Sequence, residues 1–288
     1  MDWLAATWDV WLDTFLWLAG LGVVLGALGW LMPCNRGMFW YTDLRAAATD
    51  LLYWFVNPLF ARLCRTALLA AGIALLFAGR PPGFALIRDL PLWAQCIAIM
   101  LLQDVMLYWL HRAFHTPRAW RFHAIHHSPA LLDWLSASRN HFVNTLFTFI
   151  LADVVVQLLG FSVAALLVLA PINIAYSSMV HANLNWTFGP LRYVFASPVF
   201  HRWHHTLEEE GLNKNFAPTF PFFDLVFGTF HMPSGKLPVH FGNGERAFPD
   251  DFWGQVVYPF LYEKKQRAAE NAEKVGCVKR TRADAPFV

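Results

Sequence analysis

The sequence predicts an all-α integral membrane protein: transmembrane helices with a histidine-rich cap on the cytoplasmic side. Three observations predict it. The 288-residue chain is 57% hydrophobic and only 15% charged, too apolar for an ordinary soluble domain. Its apolar residues gather in runs long enough to cross a bilayer, about 20 residues each. Two segments, His123-Ala-Ile-His126-His127 and His201-Arg-Trp-His204-His205, spell HxxHH, and His111-Arg-Ala-Phe-His115 spells HxxxH.

The elements follow in order. Residues 10–32 form the first apolar run, with Asp13 near its start and Pro33 ending it. No Lys or Arg precedes Arg36, so the basic start of a secretory signal is missing and the run reads as a retained span. Residues 51–79 are apolar but interrupted by Pro58, Arg62 and Arg65, which predicts an interfacial helix and then a span over 63–79. Gly79-Arg80-Pro81-Pro82-Gly83 reads as a turn. The third span covers 91–110 and runs straight into the first histidines. Two apolar helices, 142–159 and 161–180, are split by Gly160 and form a membrane hairpin. Beyond 181 the chain is polar, aromatic and rich in Pro and Gly, so short helices and loops are expected. The tail from Glu263 carries Lys264, Lys265, Arg267, Lys274, Lys279, Arg280 and Arg282 and reads as a solvated helix that frays. The organisation is therefore 1–110 with about three spans, 111–262 as the histidine-bearing region including the hairpin 142–180, and 263–288 as a charged tail.

Orientation follows from basic residues in the short loops. Asp2, Asp9 and Asp13 with no cation put the N-terminus outside, and the Arg-rich histidine segment and basic tail then lie in the cytoplasm. Arg80 and Arg88 fall on the outer loop and run against this assignment.

Composition excludes several classes. A net charge of +2 without a basic, aromatic-interleaved patch gives no support for nucleic-acid binding. Cys34, Cys64, Cys96 and Cys277 include no CxxC pair, so neither a disulfide framework nor thiolate ligation is supported.

The histidines point to metal. Residues i, i+3 and i+4 share a helix face, so each cluster aims its imidazoles at one point. A tetrahedral zinc site takes about four ligands. The clusters supply His111, His115, His123, His126, His127, His201, His204 and His205, which suits two metals with an all-nitrogen ligand set. They lie at the ends of spans rather than within them, where a lipid from the bilayer and a reductant from the cytosol can both reach. His181, in His181-Ala-Asn-Leu-Asn185, is a ninth ligand candidate. His141, Asn185, Asp104, Asn215 and Asp224 are candidates either for a metal or for the outer nitrogen of a ligating ring. Asp104 lies seven residues before His111 on one helix face, and a carboxylate in an apolar span demands a partner.

These residues resemble the fatty acid hydroxylase / sterol desaturase superfamily of membrane di-iron oxygenases. The likeness runs from about Asp104 to Phe230. It rests on Asp104-xxx-Tyr108-Trp109-x-His111-Arg112-xx-His115, His123-xx-His126-His127 and Arg139-x-His141. It continues through His181-Ala-Asn-Leu, His201-Arg-Trp-His204-His205, Lys214-Asn215-Phe216 and Phe223-Asp224-xx-Phe227-Gly228-Thr229. Residues 1–90 carry only a generic membrane signal.

The resemblance implies a cytoplasmic catalytic cap with two iron ions, zinc loading being a known hazard of overexpression. It also implies O2 as co-substrate and two electrons from a separate donor such as a ferredoxin or a cytochrome-b5-like protein. No catalytic residue beyond the metal centre is implied. The reaction would be C–H hydroxylation or desaturation of a lipid: a fatty acyl chain, a sterol or hopanoid, a carotenoid or an ornithine lipid. Two departures stand out. Relatives often carry a second histidine four residues after the position of His181, where this chain has Asn185, and some carry an acid where this chain has Asn144. Composition rich in Ala, Trp and Arg suggests a bacterial inner membrane. Two other readings stay open. A metal transporter would place ligands along a mid-span path. A zinc hydrolase would show HExxH, which is absent.

Overall fold

A computed structural model describes residues 3–77, 84–245 and 248–263. Among these the protein is helical, and the only pairing between extended segments is an isolated antiparallel bridge, Thr206 to Phe241. Among the described residues four helices are long and apolar enough to cross a membrane: Thr7–Leu31, Leu92–Phe114, Phe142–Leu159 and Val163–His181. The first lies within α1 (Trp3–Leu31), and the others are named α3, α5 and α6 below.

The break expected within residues 51–79 does not occur. Helix α2 runs unbroken from Leu44 to Phe77 through Pro58. One proline removes a single helical hydrogen bond, and flanking contacts outweigh that loss here: Asn57 Nδ2 donates to the carbonyls of Ser138 and Asn140, and Trp54 Nε1 donates to Leu135 O. The expected turn at 79–83 and the tail helix beyond 263 lie outside the described residues.

The hairpin is α5 and α6. Gly160 between them adopts φ 104°, a left-handed conformation that only glycine takes without strain. Ser162 then caps α6 by accepting the Ala165 N–H. Within α5, Ile150–Val155 winds as a π-helix. Ile99 of α3 packs with Val156 of α5 and Ala165 and Leu169 of α6 into one apolar cluster. Leu21 and Leu25 of α1 pack with Trp54 of α2 and with Trp134 and Leu184 from the cap, fixing the cap to the first span. The outward faces of the spans remain apolar, with Trp11, Phe15, Trp93, Ile97, Leu167 and Ile172 exposed, as lipid-facing residues are.

The cap is built of short pieces, as expected from its Pro and Gly content: α4 (Pro117–His123), α7 (Pro198–His204) and α8 (Phe222–Val226), with a final helix over 252–263. Proline opens α4 and α7 at a position whose N–H would be unpaired anyway.

Candidate metal centre

Helix ends build the site. His111 lies in the last turn of α3 and His115 caps its C-terminus. His123 ends α4, His181 ends α6, and α7 carries His201 and His204 with His205 as its cap. Four helix C-termini thus converge, and their partial negative charge favours a cation between them.

The rings sort into two groups. His111, His115, His123, His127 and His204 each bring a ring nitrogen to within 4.8 Å of the others, and His126, His181, His201 and His205 do the same. Neither HxxHH cluster serves a single group. His123 and His127 go one way and His126 the other, while His204 is separated from His201 and His205. The groups abut where the rings of His127 and His205 stack at 4.3 Å.

Outer hydrogen bonds set the tautomers. Carbonyl oxygens only accept, so a ring nitrogen facing one carries the proton. Nδ1 of His111 donates to Phe216 O (2.8 Å), of His126 to Arg139 O (3.2 Å), of His181 to Ser177 O (2.7 Å) and of His204 to Lys214 O (2.7 Å). His123 Nδ1 faces Asn144 Oδ1 at 3.2 Å, and Asn144 Nδ2 donates to Asn140 Oδ1, which leaves the amide oxygen for the imidazole. His115 Nδ1 meets Asn213 Oδ1 at 3.1 Å.

In these six rings the inward Nε2 therefore carries a lone pair. Nε2 of His111 and His123 stand 3.0 Å apart, and those of His126 and His181 3.4 Å apart. Lone pairs facing at that distance repel unless a cation lies among them. Nε2 of His115, His127 and His204 is buried with no hydrogen-bond partner at all. Most buried polar atoms in proteins are paired, and the facing lone pairs together with these orphaned nitrogens fit a metal ion in each group.

Electrostatics agrees. Burial holds His115 down to about 3, with the neighbouring His111 adding to the effect. His123, His126, His127, His201, His204 and His205 are held well below the usual range, first by burial and then by neighbouring imidazoles. The rings are neutral near pH 7, as metal ligation requires.

The five further candidates lie outside both groups, each for a visible reason. His141 caps α5: its Nδ1 accepts the Val143 N–H and its Nε2 donates to Val256 O, so both nitrogens are used. Asn185 is exposed, because α6 ends at His181 and the i+4 relation is not helical. Asp104 sits on the expected face of α3 but accepts the Thr219 and Phe220 N–H groups (2.8 and 2.9 Å), because that loop crosses α3 at its level. Asn215, at φ 59°, binds Phe200 O and His231 O through its amide nitrogen. Asp224 touches no ring. It accepts from Phe216 N, Ala217 N and the Thr229 hydroxyl, and so holds the peptide that His111 uses. Burial pushes the Asp224 carboxyl up, opposed by these three donors.

Sequence reasoning missed Asn213 as a partner of His115 and the four backbone carbonyls as partners of His111, His126, His181 and His204. Carbonyls leave no residue signature. Asn213 left a faint one, since asparagine readily adopts the positive φ (56°) found there.

A helical protein with four helices apolar enough to cross a membrane among the described residues, and with imidazoles in two groups that could each hold a metal ion, is the class that fold and site define. Residues 96–229 match the model of the fatty acid hydroxylase family. The chain is 31% identical to the ornithine lipid hydroxylase OlsE of Rhizobium tropici over 59% of this chain and 51% of that protein. It is 28% identical to an alkylglycerol monooxygenase of Danio rerio over 56% of this chain and 36% of that protein. It is 27% identical to the very-long-chain aldehyde decarbonylase GL1-7 of Oryza sativa subsp. japonica over 58% and 29%. The chain thus spans about half the length of the first of these relatives and less of the others. No solved structure matches.

Proposed function

We propose that this protein is an O2-dependent di-iron hydroxylase acting on a membrane lipid. The observation that carries the reading is the convergence of nine histidines into two groups, with His111, His115 and His181 at the C-terminal ends of two apolar helices. The nine are proposed as the ligands: His111, His115, His123, His127 and His204 for one iron, His126, His181, His201 and His205 for the other. Bound there, the two irons supply O2 activation and oxygen insertion into a C–H bond, given two electrons from a separate donor.

The protein's own part is placement. Carbonyls and asparagine amides fix the tautomer and plane of six rings, so no ring must reorient as charge at the metals changes. Phe114 and Phe216, both buried, pack apolar surface against the rings of His123 and of His111, His115 and His204. The apolar outer faces of α3, α5 and α6 let a lipid approach from the bilayer.

Hydroxylation is preferred to desaturation because two of the relatives bear the names hydroxylase and monooxygenase. An aminolipid of the ornithine type is the first substrate to test. We further infer a catalytic face in the cytoplasm of a bacterial inner membrane, residues 1–110 as anchor, 111–262 as catalytic region and 263–288 as a charged tail.

The experiment is metal analysis of detergent-purified protein with Mössbauer spectroscopy on iron-57-grown cells. Two coupled irons per chain and a lipid product with one added oxygen are expected. One zinc, or no metal after anaerobic iron-replete purification, refutes the reading; two zincs call for iron reconstitution and an O2-consumption assay to exclude misloading.

A further inference from the structure

The final helix, 252–263, turns an apolar face outward. No charged residue lies between Phe252 and Tyr262. Phe252, Gln255, Tyr258 and Pro259 are buried against the rest of the protein. Every exposed residue of that stretch is apolar: Trp253, Val257, Phe260 and Leu261, with Trp253 71% and Phe260 69% exposed. Spaced at i, i+4, i+7 and i+8, they form one stripe along the helix. A helix face turned to water carries polar side chains, so this stripe meets something other than water.

Its inner contacts place this helix at the level where a span begins. Phe252 lies 6.5 Å from Phe142, the first residue of α5, and Phe142 lies 4.8 Å from Phe60 of α2, measured between ring centroids. His141, the cap of α5, donates from Nε2 to Val256 O at 3.1 Å, and its ring stands 5.8 Å from that of Phe260. α5 is apolar over 18 residues, so the edge of the hydrocarbon layer falls near its first turn. The stripe is level with that edge. Within two turns of Phe60 and Phe142, Leu63 of α2 and Phe147 of α5 are exposed as well. Tryptophan suits this depth, because its ring is apolar and its N–H polar. The far end of the helix is tied to α4. Tyr262 Oη and Trp120 Nε1 both donate to Glu245 Oε1, at 3.3 and 3.1 Å, and Phe260 lies 6.2 Å from Phe122.

We propose that Trp253, Val257, Phe260 and Leu261 bed in the interfacial layer of the bilayer, so that the final helix lies in the membrane surface and seats the α4 side of the cap on it. The occupant is a lipid surface, met at the level of the glycerol and upper acyl groups, as for other helices that lie in the interface plane. A second copy of the chain can cover an apolar stripe anywhere on a cap, whereas a bilayer covers one only at the height found here. No metal takes part.

Photolabelling tests this on the whole chain in vesicles of phosphatidylethanolamine and phosphatidylglycerol doped with a phospholipid that carries a diazirine near its glycerol. After irradiation, peptide mass spectrometry locates the lipid adducts. Adducts are expected on Trp253, Val257, Phe260 and Leu261, together with Phe147 of α5, and none on the inward Gln255 and Tyr258. The double variant Trp253→Glu with Leu261→Glu changes only exposed side chains, so its thermal unfolding in detergent matches wild type. In vesicles its final helix loses the adducts while Phe147 keeps them, because a charged stripe is driven out of the interface. A wild-type chain labelled at Phe147 but bare along the stripe overturns the proposal. So does a dimer in detergent that the double variant turns into a monomer, which would make the stripe a contact between copies.

Discussion

His111 Nδ1 stands 2.8 Å from the carbonyl oxygen of Phe216, a residue 105 positions further along the chain. The same peptide group donates its other end, the Ala217 N–H, to Asp224 Oδ2 at 2.9 Å. Asp224 also takes the Thr229 hydroxyl at 2.6 Å, Thr229 takes the Tyr108 hydroxyl at 2.9 Å, and Tyr108 takes Arg112 Nη1 at 3.3 Å. The chain of donors begins and ends on α3, at the adjacent residues Arg112 and His111, and fixes one ring plane.

Asp224→Ala removes the acceptor for three buried donors. Each orphaned donor costs about 1–3 kcal/mol, so a marked fall in thermal stability is expected. Loss of the outer support should also weaken metal retention about 10–100-fold, read as faster iron loss to a chelator. Asp224→Asn keeps one acceptor oxygen and falls between. Unchanged chelation kinetics in both variants would show that the Phe216 peptide needs no anchor.

His126→Ala removes one of four nitrogens from the fully buried group and none from the other. Iron content should fall from two towards one per chain, with the remaining iron losing its magnetic coupling in the Mössbauer spectrum. Equal loss of both irons would mean that the groups fill as one unit.

Asp50 and Arg139 form a buried ion pair, Nε to Oδ1 2.6 Å. Arg139 also donates to Ser128 Oγ and Ala46 O, and its carbonyl receives His126 Nδ1. Asp50→Ala strands a buried guanidinium and is expected to destabilise the protein by about 3–5 kcal/mol. The double variant Asp50→Leu with Arg139→Met should recover much of that, because apolar replacement of a whole buried pair is often tolerated. Thermal unfolding of the three proteins decides it.

Asn144→Asp replaces the amide that faces His123 Nδ1 with a carboxylate. A charged acceptor strengthens the hydrogen bond from His123 Nδ1 and raises the ring's basicity. Slower iron loss to a chelator is expected from Asn144→Asp and faster loss from Asn144→Leu. Identical rates would show that Asn144 has no part in holding His123.

The class of fold, the spans at 10–32 and 91–110, the hairpin around Gly160 and all nine histidines were legible in the sequence, because each is a local pattern. Hydrophobic run length, a glycine break and i, i+3, i+4 spacing need no knowledge of what lies across the molecule. Errors arose where a local rule met a tertiary contact. Pro58 signalled a break, but Asn57 and Trp54 bond across to the 135–140 segment and the helix continues. Asp104 signalled a histidine partner, but a loop more than a hundred residues away supplies two amides at the same level.

The sequence by itself determined the apolar, span-length helices and the clustering of imidazoles, since both follow from residue type and spacing along one helix. Only the tertiary structure decided how the rings are shared out. Neighbours such as His126 and His127 point into different groups, while His111 and His204, ninety-three residues apart, meet with ring centroids 4.3 Å apart. A helix fixes directions for its own side chains. Which helix ends meet depends on the packing of α3, α6 and α7, and that rests on contacts no local pattern encodes.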